Sequence, residues 1–121
     1  MLETAKALKT FFGGFSLPAY DESSVPDDVE LPYITYHVAE PEWDENASIY
    51  AQVWYRSNSN TPVITKADEI TRAVGNGTTL KLSGGLLVIW PETPLVQILV
   101  DGDTRRAYIS LSIRSIHMPG V

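Results

Sequence analysis

Apolar residues at Leu2, Ala5, Leu8 and Phe12, with Phe11 beside them, recur at the spacing of one helix face. Gly13-Gly14 supplies the stop, so the chain is expected to open on a short amphipathic helix. From Ser16 to Glu30 the periodicity is lost. Pro18 and Pro26, with Pro32 just beyond, stand among acidic residues, and the pattern predicts an extended, irregular arm. Tyr33 to Val38 is aromatic and β-branched and reads as a strand, with Ile34, Tyr36 and Val38 on one face and Tyr33, Thr35 and His37 on the other. After a turn at Glu40-Pro41-Glu42, Ser48 to Arg56 alternates more clearly. Ile49, Ala51, Val53 and Tyr55 share a face, while Ser48, Tyr50, Gln52, Trp54 and Arg56 point the other way.

Ser57-Asn58-Ser59-Asn60 is a loop, and Thr61-Pro62 pairs a capping hydroxyl with a proline suited to a first helical turn. The helix is expected to run to about Val74, burying Ile64, Ala67, Ile70 and Val74, leaving Lys66, Asp68, Glu69 and Arg72 to solvent, and ending at Gly75-Asn76-Gly77. Thr79 to Leu82 and Leu86 to Trp90 read as strands, Pro91 and Pro94 as a break, and Leu95 to Val100 as a further strand. Asp101-Gly102-Asp103-Thr104 is a hairpin turn. In the last strand Ala107, Ile109, Leu111 and Ile113 face inward and Arg106, Tyr108, Ser110, Ser112 and Arg114 outward.

Two helices and five or six strands predict one α+β domain over residues 1–121, a mainly antiparallel sheet with both helices packed on it. Within it, residues 1–13 are the N-terminal helix, 14–32 the acidic, proline-rich arm, and 33–121 the sheet with helix 62–74. At 121 residues, 44% hydrophobic and 20% charged, the chain has the size and composition of an ordinary globular domain. It has no cysteine, so neither disulfides nor thiolate-bound metal enter the reading. Met1 to Phe12 lacks the continuous apolar core of a signal peptide, and no stretch approaches the ~20 apolar residues of a membrane span. A soluble, non-secreted protein without membrane contact is expected.

The net charge of −6 is unevenly spread. Asp21, Glu22, Asp27, Asp28, Glu30, Glu40, Glu42, Asp44 and Glu45 crowd one stretch without a single lysine or arginine, whereas from Asn46 onward basic residues outnumber acidic ones by seven to five. Oppositely charged surfaces of two copies can meet on such a split, and a merely solvated acidic loop is the other reading.

Candidate chemistry is sparse. His37 and His117, with carboxylates at no diagnostic spacing, do not make a metal site, and Asp101-Gly102-Asp103 lacks the rest of a calcium loop. Gly13-Gly14 and Gly84-Gly85 have no phosphate-loop frame, and Ser110 and Ser112 read as the polar face of a strand. No catalytic residue and no cofactor are assigned. A catalytic reading needs a cleft that encloses His37 with two carboxylates. Arg105, Arg106 and Arg114 lie on or beside one strand of an acidic chain. Pairing with the acidic segment of a neighbouring copy is the preferred reading, and passive contact with DNA in a channel the second.

The run Leu31-Pro32-Tyr33-Ile34-Thr35-Tyr36 is followed by Ile49-Tyr50-Ala51-Gln52-Val53-Trp54-Tyr55, a helix from Pro62 to Val74, and a terminal pair of strands that includes Arg105-Arg106-Ala107-Tyr108-Ile109-Ser110-Leu111-Ser112-Ile113. That order, from Pro18 onward, resembles the small tail-terminator or tail-completion proteins of long-tailed bacteriophages, the head-tail joining family that includes the minor tail protein U type. The resemblance implies a structural virion protein, not an enzyme, assembled in the bacterial host cytoplasm and located in the phage tail or neck. It would form a hexameric ring with copies of itself on the head-proximal end of the tail tube, end tube polymerisation and present a surface to the head-tail connector protein. A neck or head-completion protein of the same assembly, and a monomeric binding module using the Tyr50/Trp54 face, are the alternatives.

Closed rings use heterologous contacts, in which one patch meets a different patch on the next copy. The residues expected at such an interface are Asp27, Asp28 and Glu42 on the acidic side, Arg105, Arg106 and Arg114 on the basic side, and Trp43, Tyr50 and Trp54 as aromatic anchors. Strands near a sheet edge can also pair between subunits.

Overall fold

The computed structural model describes residues 1–120. In chain order its elements are α1 (Leu2–Phe12), β1 (Ala19–Asp21), β2 (Tyr33–Tyr36), β3 (Asn46–Arg56), α2 (Thr61–Val74), β4 (Thr78–Leu82), β5 (Gly85–Asp101) and β6 (Thr104–His117). The strands form one six-stranded sheet in the order β1-β2-β3-β6-β5-β4. Only β1 and β2 run parallel; the other neighbours are antiparallel, as expected of an α+β domain.

Period-two alternation places Ile34 and Tyr36 of β2, Ile49, Ala51 and Val53 of β3, Leu87 and Ile89 of β5, and Ala107, Ile109, Leu111 and Ile113 of β6 on one face, all nearly inaccessible to solvent. Against that face pack Leu8 and Phe12 of α1 and Val63, Ala67, Ile70 and Val74 of α2, in a single core. The sheet curls so far that α1 touches β4 near one edge and β1 and β2 at the other, while α2 lies over β3, β5 and β6. Both helices therefore occupy one side, and the opposite side of the sheet carries none.

Four expectations are corrected. The stripe of α2 runs through Val63 and Lys66, not Ile64, which is 42% exposed. Lys66 is buried because its stem lies against the core while its Nζ donates to the Phe15 carbonyl at 2.7 Å and to Glu69 Oε2 at 2.9 Å. The 14–32 arm is not irregular throughout: Ala19–Asp21 pairs with Ile34–Tyr36 as an edge strand. Pro91 and Pro94 do not divide two strands. Gly85–Asp101 is one strand, with the register against β6 shifting between Pro91 and Val96. A proline is tolerated there because this half of β5 has β6 on one side only and needs no donor for a second neighbour. The turn at Gly102, with φ of 61°, is as expected.

Candidate interaction surface

The helix-free face gathers residues that alternation turns away from the core. Tyr50 of β3 sits at its centre, its ring stacked on His37 at 4.9 Å and on Tyr108 at 4.9 Å. Its hydroxyl donates to Glu22 Oε1 at 2.7 Å, and His37 Nδ1 lies 3.0 Å from the same oxygen. Glu22 directly follows β1, so the acidic segment is fastened to this face at that point. The hydrogen bond to the Glu22 carboxylate, then burial, push the Tyr50 phenol up to about 12.

Four residues along β3, Trp54 lies opposite Tyr33 on one neighbouring strand and Arg106 on the other. The guanidinium carbon of Arg106 stands 4.9 Å from the centre of a Trp54 ring, and its Nη1 donates to Gln52 Oε1 at 3.0 Å. Trp54 Nε1 donates to Thr35 Oγ1 at 2.9 Å, and Thr35 is only 5% exposed. Tyr20 and Tyr33 meet edge to face at 5.9 Å and extend the aromatic row to the β1 edge. Toward the other end of the face Arg114 Nη1 donates to Asn46 Oδ1 at 3.2 Å, and Glu92, carried in the irregular part of β5, accepts from Ser48 Oγ at 3.0 Å and from Ser112 Oγ.

Of the residues expected at an interface, Tyr50, Trp54, Arg106 and Arg114 share this face. Arg105 does not. One residue out of phase with Arg106, it donates from Nε to the Ser57 carbonyl at 3.1 Å and from Nη1 to Asn60 Oδ1 at 3.0 Å, fastening the loop before α2. Trp43 also lies elsewhere, beside Ser115 and tilted over His117 at 5.1 Å, in phase with the helix-covered side. Asp27, Asp28 and Glu42 are exposed in turns. Tyr108, Glu22 and Glu92 belong to the surface but carried no sequence signal except, for Tyr108, its outward phase. The two carboxylates reach it through contacts 28 and 44 residues apart.

Asp21, Glu22 and His37 line an open cleft of about 600 Å³ together with Met1, Leu2 and Ser23. His37 thus shares a cleft with two carboxylates, the setting a catalytic reading calls for, but the cleft is open, and Ser23 Oγ donates to Asp21 Oδ1 at 2.8 Å rather than to His37, so no hydroxyl is coupled to the imidazole. Among the described residues no group of three or more metal-ligating side chains converges, and no helix is long and apolar enough to cross a membrane. Comparison of the chain with protein-family models, with curated proteins and with solved structures finds no match.

Proposed function

We propose that the chain is a structural virion protein whose copies close into a ring on the head-proximal end of a phage tail tube, ending tube growth and offering the outer surface to the head-tail connector. The observation that carries the reading is the helix-free face, where Tyr50, Trp54, Tyr108 and Arg106 form a half-exposed aromatic and cationic surface on a rigid sheet. Aromatic and arginine side chains of this kind are the residues that dominate binding energy in protein interfaces. The order of motifs along the chain supports the assignment to tail termination. The exposed turns bearing Asp27 and Asp28, and separately Glu42, supply acidic groups that a basic patch of a neighbouring copy can meet in a head-to-tail contact.

Mechanistically the subunit acts by shape and charge. One face matches the last tube ring, and the opposite face does not repeat the tube's own surface, so addition stops. Native mass spectrometry and electron microscopy of the purified chain, alone and mixed with tail tubes, test the proposal. Closed rings seated at one tube end are expected, and Trp54→Ala with Arg106→Glu is expected to abolish them while the circular dichroism of the fold is retained. A chain that stays monomeric at high concentration and also with tubes present overturns it. A monomer that instead binds a small partner through Trp54 points to a binding module.

A further inference from the structure

The distal half of β5 is an unguarded sheet edge. β4 pairs with Gly85–Ile89 only, so from Val96 to Asp101 the ladder of β5 has β6 on one side and no strand on the other. In an antiparallel ladder alternate residues turn their N–H and C=O groups away from the partner strand. Along Val96–Val100 these groups face the open side. The sequence Leu95-Val96-Gln97-Ile98-Leu99-Val100 holds five aliphatic residues and no charge, with Leu99 37% and Val100 53% exposed. Natural edges of this length are normally blunted by a lysine, a proline or a bulge. Here Pro91, Pro94 and the register shift all precede Val96, and Asp101 follows at the turn, so the five residues between are left bare.

We propose that this edge pairs with the same edge of a second copy of the chain, antiparallel about a two-fold axis through Ile98. An isologous contact must be complementary to itself, and this segment is. With Ile98 opposite Ile98, Val96 meets Val100 and Gln97 meets Leu99 of the other copy. Each pair also keeps its face. Val96 and Ile98, partnered within the chain by Ile109 and Ala107, stay on the helix-covered side, and Gln97 and Leu99, partnered by Tyr108 and Arg106, stay on the open side. A slip of one residue sets core-phase against open-phase side chains. A slip of two toward the turn keeps the number of aliphatic pairs, with Ile98 opposite Val100 and Leu99 opposite Leu99, but sets Gly102 opposite Val96 and Asp101 opposite Gln97, and so draws the turn and its acidic residue into the ladder. In the Ile98 register the β4 strand of each copy lies in line with the other copy's β5, beyond the Gly102-Asp103 turn, so the strand that covers the proximal half does not obstruct the distal one. The contact is distinct from the head-to-tail contact of the ring, which uses the helix-free face, and it is small, below the ~1,000 Å² of a stable interface, so it is concentration-dependent.

Sedimentation equilibrium across a concentration series, with amide hydrogen exchange, tests the pairing. The wild-type chain is expected to associate with rising concentration and to gain protection at the amides of Val96–Val100. Val100→Lys, at a side chain already exposed, is expected to leave the fold intact and to weaken that association about tenfold or more, as a charge does on a pairing edge. Trp54→Ala is expected to leave the edge protection unchanged while disabling ring formation, which separates the two contacts. Exchange at Val96–Val100 that does not respond to concentration, or an association of the Trp54→Ala chain that is equally strong when Val100→Lys is added, overturns the proposal.

Discussion

Tyr50 donates its hydroxyl to Glu22 across 28 residues of chain, and the bond joins the acidic segment to the middle strand of the helix-free face. The phenol is stacked between His37 and Tyr108, so its protonation state bears on the geometry of the whole aromatic row.

The first prediction concerns alkaline titration. Because the Tyr50 pKa is raised from the ordinary 10.0 to about 12, the folded state favours the neutral phenol. Its contribution to stability is complete below pH ~10 and is lost as pH rises toward 12. A tyrosinate absorbance titration of the native protein is expected to show a late phase from which Tyr50→Phe removes one phenol. Glu22→Gln, which deletes the charge and keeps an acceptor, is expected to move that phenol's titration toward lower pH. Tyr36, raised mainly by burial, titrates late in all three proteins and serves as the internal control.

Neighbouring arginines on β6 are predicted to fail in different ways. Arg105→Ala removes two hydrogen bonds that hold Ser57 and Asn60 at the start of α2, at a cost of about 1–3 kcal/mol in denaturant unfolding. Arg106→Ala gives up a partly exposed stack on Trp54 and one bond to Gln52, about 1 kcal/mol or less, yet it is the one expected to lose ring formation by electron microscopy. Equal effects of the two substitutions on assembly, after correction for stability, contradict the placement of the interface on the helix-free face.

Much of the fold was legible because β3 and β6 each bury one face only, so Ile49, Ala51, Val53 and Ala107, Ile109, Leu111, Ile113 stood out as alternating runs. The same alternation located Tyr50, Trp54, Arg106 and Arg114. What stayed hidden depends on distant partners. Nothing near Lys66 announces that its ammonium reaches the Phe15 carbonyl 51 residues away. Pro91 and Pro94 read as breaks because a proline forbids a central strand, and whether β5 is central or an edge at that point is fixed only when β4 stops pairing at Ile89. Arg105 and Trp43 were grouped with the interface by residue type, and one step of strand phase sends them to the other side.

Gly85 opens β5 where the chain has no room for a side chain. A Cβ there would lie 2.1 Å from the Ile116 carbonyl oxygen and 2.9 Å from Trp43 Cζ3. The first neighbour is backbone held in the β5–β6 ladder and cannot rotate away. Gly85→Ala is therefore expected to cost about 2–4 kcal/mol in unfolding free energy. Gly84→Ala, one residue earlier, meets no atom within 4 Å and carries only the strain of its φ of 77°, so it is expected to cost about 1 kcal/mol. Similar losses at the two positions contradict the close packing of β6 and Trp43 on Gly85.

Ser115 and Ser112 make opposite predictions from one strand. Ser115 is in phase with Ile113, is 3% exposed, and its Oγ is buried with no hydrogen-bond partner. Folding strips that hydroxyl of water and returns nothing, a penalty of about 1–3 kcal/mol that Ser115→Ala removes at the expense of a single atom's packing. The alanine variant is expected to be more stable by about 1 kcal/mol, read as a higher denaturant midpoint with an unchanged slope. Ser112, in the opposite phase, donates to Glu92 and shares it with Ser48, so Ser112→Ala leaves a half-satisfied carboxylate in the irregular part of β5 and lowers the midpoint by a comparable amount. If Ser115→Ala also lowers the midpoint, its hydroxyl has a partner in solution and the core beneath Leu87 is more polar than the sequence of β6 indicates.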